Sequence, residues 1–348
     1  MHRSLVETLR EPGTGRPLRL EASGSAEVVG DGALVGERRY PIIRGIPRFV
    51  DVEDEGQRQT QASFAFKWGQ RSTYDSARMR QQSRRWLLER YGFASVDEMQ
   101  GRFRAARRVL DAGCGSGYSA SLWLSEDWRR DACPAWIGAD ISTAVDVAQE
   151  RLGDIEGTHF VQADLMRLPF ACETFDIIFS EGVLHHTPST ARAFGALVPL
   201  LARGGEIMFY VYRRKAPARE FTDEHVRAQI SNMTPADAWD ALRPLTELGR
   251  ALAELHATIE VPADIPYLGI KAGRYDVQRL IYWHFLKAFW NPDLTFEENH
   301  HVNFDWHHPR YAHRHTEDEV RGWCEAAGLT IDRFDAQESG FTVRAVRH

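Results

Sequence analysis

The sequence predicts an α/β fold: a sheet of parallel strands covered on both faces, a helical insert after the fifth strand, and a small β-rich module at the N-terminus. Three observations lead there. Between residues 106 and 213, short apolar runs alternate with helix-like segments; the alternation stops at 214–315 and resumes at 316–348. Residues 1–55 hold only short β-like runs parted by Gly- and Pro-containing turns. Continuous apolar runs mark strands buried on both faces, and strands alternating with helices mark a sheet of that kind.

In the N-terminal 1–55 stretch, PLRLEAS, AEVVG, GALVG and YPIIRGIPRFV read as strands, with a turn at Gly30-Asp31-Gly32. So small a module cannot build a strong core, so it is expected to pack on the rest of the chain. Residues 56–105 read as a helical connector. SFAFKWGQ carries Phe64, Phe66 and Trp68; RMRQQSRRWLLERYGF gathers Trp86, Leu87, Leu88 and Tyr91 into one apolar cluster, with Gly92 as a stop. The sheet strands are RRVLDA, AWIGADIS, THFVQAD, FDIIFSEG and GEIMFYVYR. One helix is predicted after Ser142, where Thr143 and Asp146 have capping-box spacing, and another from Thr187-Pro188 to Gly204-Gly205. Tyr210 and Tyr212 share one face of the fifth strand, as pocket lining or as core.

The 214–315 insert is too long for a loop and is expected to be a structured lid over the substrate. Helices are predicted near 220–232, 235–258 and 275–290, with Val277, Ile281, His284 and Ala288 as one buried stripe. ENHHVNFDWHHPRYAHRHT is read as a polar, aromatic loop at the substrate mouth. Its adjacent histidines point in different directions, so no metal is assigned to it. A second capping box at Thr316 and Glu319 opens the helix EDEVRGWCEAAG, which ends at Gly328; LTIDRFDA and FTVRAVR are the last two strands.

The 348 residues carry a formal net charge of −6 and are 43% hydrophobic. A mildly acidic globular chain has no global attraction for nucleic acid or anionic membrane, and the cluster Arg102, Arg104, Arg107 and Arg108 is read as the solvated flank of a strand. No apolar run approaches the roughly 20 residues of a membrane helix, and the first residues lack a signal peptide's apolar core. Cys114, Cys133, Cys172 and Cys324 show no paired spacing, which fits a reducing cytosol. A cytoplasmic protein with a small-molecule partner is expected, with neither nucleic acid nor membrane, and with a surface on the insert for a homodimer contact.

The chemistry concentrates in VLDAGCGSG, residues 109–117. A strand ends at Asp111, and Gly113, Gly115 and Gly117 follow, with Cys114 between them. Such a turn lets a ligand approach the backbone closely, and the next helix is expected to begin there with its amides facing the ligand. Dinucleotide enzymes use GxGxxG to cradle a pyrophosphate. Here the spacing is GxGxG, and the acidic residue before it would repel a pyrophosphate but suits an amino group.

DAGCGSG resembles the first motif of class I S-adenosylmethionine-dependent methyltransferases, which are Rossmann-like. The resemblance implies that Asp140, with Ile141 after it, takes the ribose hydroxyls, a geometry shared with the dinucleotide fold. It implies that Asp164 accepts from the adenine amino group while Leu165 packs on the ring. It also places Ser180, in FDIIFSEGVLHH, beside the methionine part. ADLMRLPF…FDIIFSEGVLHHTPS is similar to the ubiquinone- and menaquinone-type branch, over residues 106–213 and again 316–348. The stretch between Asp111 and Asp140 is longer than that pattern, which implies a small insertion near 125–134.

LREPGTGRPL and YPIIRGIPRFV resemble the zinc-ribbon module of methyltransferase activator subunits. Glu11 and Thr14 stand where that module has its first two cysteines, so no zinc is implied; a generic β appendage is the other reading. By resemblance to multidomain bacterial methyltransferases, SFAFKW folds over the cofactor, where aromatic faces attract a sulfonium; a junction core is the alternative.

Methyl transfer needs a nucleophile held in line about 3 Å from the methyl group, and a base only if that nucleophile carries a weakly acidic proton. His185, beside His186 after the fourth strand, is the candidate base or orienting group. The expected function is methyl transfer from S-adenosylmethionine to a small molecule. RNA or protein methylation, cyclising use of the cofactor, and binding without turnover remain open.

Overall fold

The computed structural model describes residues 1–23, 27–51, 54–124 and 135–348. The expected insertion near 125–134 lies outside them. The N-terminal strands β1 (Arg19–Glu21), β2 (Gly32–Val35), β3 (Arg39–Ile43) and β4 (Ile46–Pro47) form an antiparallel sheet in sequential order. A 3-10 turn, Arg3–Thr8, precedes them. As expected of so small a module, it packs on the larger sheet. Leu5, Leu9 and Leu34 share one core with Leu110, Ile137 and Ile178 of that sheet, and Phe49 N donates to Gln162 O at 2.8 Å. The buried Glu11 carboxylate accepts from Arg38 N at 2.9 Å and Thr14 Oγ1 at 3.0 Å.

The connector is three helices, α1 (Glu55–Gly69), α2 (Ala77–Tyr91) and α3 (Val96–Arg104). Gly92 ends α2 in the left-handed conformation, φ 76°. Leu87 and Tyr91 are buried, but Trp86 is 40% exposed; its ring carries the Arg90 guanidinium at 3.5 Å instead of joining the cluster.

The main sheet has seven strands in the order β12-β13-β9-β8-β5-β6-β7. Strands β5 (Arg108–Ala112), β6 (Ala135–Asp140), β7 (Thr158–Gln162), β8 (Phe175–Glu181) and β9 (Leu201–Tyr212) are parallel; β13 (Gly340–Arg347) runs antiparallel to β9 and to β12 (Leu329–Ala336). This is the expected Rossmann-like class I arrangement. Alternation along the strands divides the core. Leu110 and Ile178 face α5 (Thr190–Leu197) and α11 (Glu317–Ala326), while Val109 and Ile177 face α3 and α4 (Ala144–Leu152). Strand order reverses between β5 and β8, and ligands of open parallel sheets bind outside the strand ends at such a point.

Several local expectations are corrected. Thr143 makes no side-chain cap: its own backbone is already helical, and Ser142 Oγ accepts from Ala144 N at 3.2 Å, while the Asp146 carboxylate pairs with Arg48 of the N-terminal module at 2.7 and 3.1 Å. Helix α5 starts at Thr190, capped by Ser189, and ends at Leu197 rather than at the glycine pair; Gly204 and Gly205 fall inside β9. After the glycine-rich turn, the described residues form only a 3-10 turn, Ala120–Leu122.

The insert holds α6 (Pro217–Ile230), α7 (Pro235–Ala241), α8 (Arg243–Glu254), a hairpin of β10 (Thr258–Val261) and β11 (Gly273–Asp276), α9 (Val277–His284) and α10 (Phe296–His307). Helix α9 ends at His284 and buries Gln278 and Tyr282, one residue out of phase with the expected stripe. Helix α10, opened by a capping box at Thr295 and Glu298, takes in only residues 298–307 of the histidine-rich segment, and residues 308–316 are not helical. The segment's histidines are structural: His300 contacts Thr246 Oγ1 at 2.8 Å, His301 contacts Thr73 Oγ1 at 2.7 Å, and His308 contacts Ser63 Oγ at 2.8 Å. The capping box at Thr316 forms as expected.

Among the described residues no helix is long and apolar enough to cross a membrane. Cys114, Cys172 and Cys324 are free thiols; Cys133 lies outside the described residues.

Candidate active site

A cavity of about 870 Å³ opens at the C-terminal ends of β5, β6 and β8 and continues beneath α1 into the insert. At the sheet end, six of the sequence-predicted residues line it: Gly113, Cys114, Asp140, Ile141, Asp164 and Leu165. The glycine turn is pinned to β6, where Ala139 O accepts from Gly113 N at 2.7 Å and Cys114 N at 3.1 Å. Gly113 has φ +87°, and a Cβ there would lie 2.2 Å from Val183 Cγ1, so only glycine fits.

Asp140 closes the turn. One carboxylate oxygen accepts from Gly115 N at 2.9 Å; the other accepts from Ser142 N at 2.7 Å and Ser142 Oγ at 2.6 Å. A carboxylate has about four acceptor positions, so capacity remains for a hydroxyl in the cavity. Burial raises its pKa, against those hydrogen bonds. Asp164 accepts from Met166 N at 2.9 Å through one oxygen.

Four predicted residues stand behind this wall. Asp111 is buried with one carboxylate oxygen lacking any partner among the described residues; burial, then Asp140, raises it to about 8. A cationic amino group nearby would restore its charge, which is the fit expected for the amino-acid end of S-adenosylmethionine. Gly115 lies under the Trp68 indole, and Gly117 packs on Ala148 and Leu152 of α4. Ser180 Oγ donates to Ala112 O at 2.9 Å, joining β8 to β5 inside the sheet.

The connector covers the site. Phe64 and Trp68 face the cavity, whereas Phe66 turns away to Trp239 and Phe304. The cation on those two ring faces is Lys67, with Nζ 5.1 Å from the Phe64 centroid and 4.2 Å from the Trp68 centroid. Lys67 Nζ also bonds Asp305 Oδ1 at 2.5 Å, which holds that carboxylate well below its usual range despite burial.

His185 does not reach the cavity. It is 0% exposed, its two ring nitrogens have no partner among the described residues, and its ring lies 3.7 Å from that of Tyr212. Burial pushes its pKa well below the usual imidazole value. The neighbouring His186 is on the cavity wall. Its Nδ1 donates to Tyr311 O at 2.6 Å, and its Nε2 has no partner among the described residues; burial lowers its pKa to about 4, so the ring stays neutral. Tyr210 and Tyr212 both line the cavity.

The far end is built by residues that no motif announces: Lys215, Arg219, Lys287 and Trp306. The available signal was a lone lysine in the apolar run HFLKAFW.

Residues 110–209 match the family model described as a methyltransferase domain. The chain is similar to the malonyl-[acyl-carrier protein] O-methyltransferase of Enterobacter lignolyticus, 32% identical over 121 residues, covering 33% of this chain and 43% of that protein. It is similar to the enzyme of the same name from Methylovorus, 32% identical over 145 residues, covering 39% and 45%. It is also similar to a phthiotriol/phenolphthiotriol dimycocerosates methyltransferase of Mycobacterium ulcerans, 27% identical over 139 residues, covering 36% and 49%. The chain thus spans less than half the length of these relatives. Sheet order, the glycine turn with its acidic partners, and the matched segment agree: residues 110–209 form a methyltransferase domain of the S-adenosylmethionine-dependent kind.

Proposed function

We propose that the whole chain transfers a methyl group from S-adenosylmethionine to a small-molecule acceptor by in-line displacement. The observation that carries this is the single cavity shared by the glycine turn and the insert, which joins a cofactor end to a walled acceptor end. When bound, the cofactor supplies an electrophilic methyl group. The protein supplies position. Asp140 and Asp164 hold the ribose and adenine ends, the Asp111 carboxylate, with one oxygen unpartnered among the described residues, favours the amino end, and Trp68 with Phe64 closes water out. Orientation is most of the catalytic task in a displacement of this type.

His186 takes the role expected of His185. Its free Nε2 accepts a hydrogen bond from the acceptor and aligns the nucleophile; at a pKa of about 4 it is a weak base, so it orients rather than stores a proton. Its neighbour is held behind Tyr212, out of reach.

On this reading the acceptor is small, as in the ubiquinone- and menaquinone-type branch, and the chain works in the cytosol without nucleic acid or membrane. The N-terminal module braces the sheet edge through Arg48. Exposed Phe221, Leu255 and Tyr267 on the insert supply the homodimer contact.

The test is product analysis with candidate acceptors. S-adenosylhomocysteine together with a methylated small molecule supports the proposal; methylthioadenosine would indicate cyclising use of the cofactor, and label in RNA or protein alone would indicate the other acceptor class.

A further inference from the structure

We propose that the methyl acceptor is an organic anion whose negative group is held by Lys287, at the end of the cavity enclosed by the insert. The proposal rests on the function given above for the same cavity.

Lys287 is 7% exposed, lines the cavity and is fixed at both backbone ends. Its N–H donates to Asp223 Oδ1 at 2.9 Å, and its carbonyl meets His307 Nε2 at 2.9 Å. Among the described residues its ammonium has neither a hydrogen-bond acceptor nor an ion-pair partner. It lies 4.3 Å above the Trp306 ring, whose own Nε1 donates to Asp223 Oδ2 at 2.7 Å. Two more cations face that ring, Arg219 with Cζ at 5.2 Å and Lys215 with Nζ at 6.0 Å.

Those two are already held. Arg219 pairs with Asp223 at 3.1 Å, and Lys215 Nζ is bound by backbone carbonyls, that of Ser339 at 2.7 Å. The nearby acids are also engaged: Glu220 pairs with Arg314 at 2.8 Å, and Asp305 with Lys67 at 2.5 Å. Three basic side chains around one ring are therefore paired with one carboxylate, Asp223, and burial draws Lys215 itself well below its usual range. Burying an unpaired charge is costly unless a counter-ion or deprotonation relieves it. Burial, then Arg219, draws the Lys287 ammonium down to about 7, with Asp305 and Asp223 pulling the other way and Lys67 adding to the depression. An anion at Nζ would relieve the same imbalance. Trp283, Tyr282 and Phe289 line this end as well, so the acid group sits on a flat apolar body.

The experiment is calorimetric titration of protein saturated with S-adenosylhomocysteine. The probes are benzoate, indole-3-acetate and phenyl phosphate, each beside its neutral counterpart: benzamide, indole-3-acetamide and phenol. At least one anion is expected to bind tenfold or more tightly than its counterpart, and the carboxylate and phosphate arms show which group is preferred. The preference should be strongest below pH 7 and fade as pH rises through neutrality, because the anion binds the ammonium form; the neutral probes should show no such trend. Lys287→Met should abolish the preference while leaving S-adenosylhomocysteine affinity unchanged, and the wild-type pH trend supplies the same information if that variant does not fold. The proposal is overturned if no anion binds, if anion and neutral probe bind alike, or if the preference survives in Lys287→Met. Failure of folded wild-type protein to bind S-adenosylhomocysteine overturns the underlying function with it.

Discussion

The two ends of the cavity are built by different means. The cofactor end is local and made of backbone: Gly113, Cys114 and the Asp140 carboxylate are set by one turn pinned to the next strand. The acceptor end is distributed and made of side chains: Lys67 comes from α1, Tyr212 from β9, Lys287 from the chain after α9 and Trp306 from α10. The difference teaches why one end can be read as a motif and the other cannot. A glycine turn needs particular residues at adjacent positions, whereas a long-range pocket needs only compatible side chains brought together by packing.

The sharpest way to break the comparison is at the turn. Gly113→Ala puts a Cβ into Val183 at a positive φ, so binding of S-adenosylhomocysteine should fall about 100-fold or more, while the insert keeps its fold. Calorimetry together with far-UV circular dichroism would check this; unchanged affinity would show that the turn is not the cofactor wall. The complementary change is His186→Ala. Turnover should fall roughly 10- to 100-fold with cofactor affinity near wild type, because a group oriented on the acceptor is lost. Steady-state kinetics measures it, and an equal loss from His185→Ala with His186 intact would reverse the assignment.

Arg48→Ala tests the bracing of the sheet edge. It removes two hydrogen bonds to Asp146 and one to Gln162, so urea unfolding should show a loss of about 1–3 kcal/mol. The smallest expected effect is the most diagnostic of sign. Asp111 titrates near 8 in the folded chain, above its unfolded value, so the folded state binds the extra proton and stability falls as pH rises from about 4 to 8. Asp111→Asn should therefore raise the thermal midpoint of the cofactor-free protein at pH 7.5, by about 1–4 °C, while weakening cofactor binding. A lowered midpoint would mean that the carboxylate has an ionic partner in solution.

Much of the fold was legible because its signals are local. The five parallel strands match their apolar runs, and the Thr316 capping box and the stop at Gly92 lie where their residues predict. Some of the failures come from contacts with distant groups. Asp146 has capping-box spacing, but its carboxylate pairs with Arg48 of the N-terminal module. The histidine-rich segment looks like a polar loop, yet its first half is helix α10, where His300 and His301 find hydroxyls on other elements. His185 and His186 are adjacent in sequence and equivalent as letters; the packing of Tyr212 decides which one reaches the cavity.

The most direct test of the central claim is calorimetric titration of the wild-type protein with S-adenosylhomocysteine and, separately, with NADH. Affinity on the order of micromolar for the first, with none for the second, is the expected result. Binding of NADH alone would contradict the assignment and make the glycine turn a dinucleotide site.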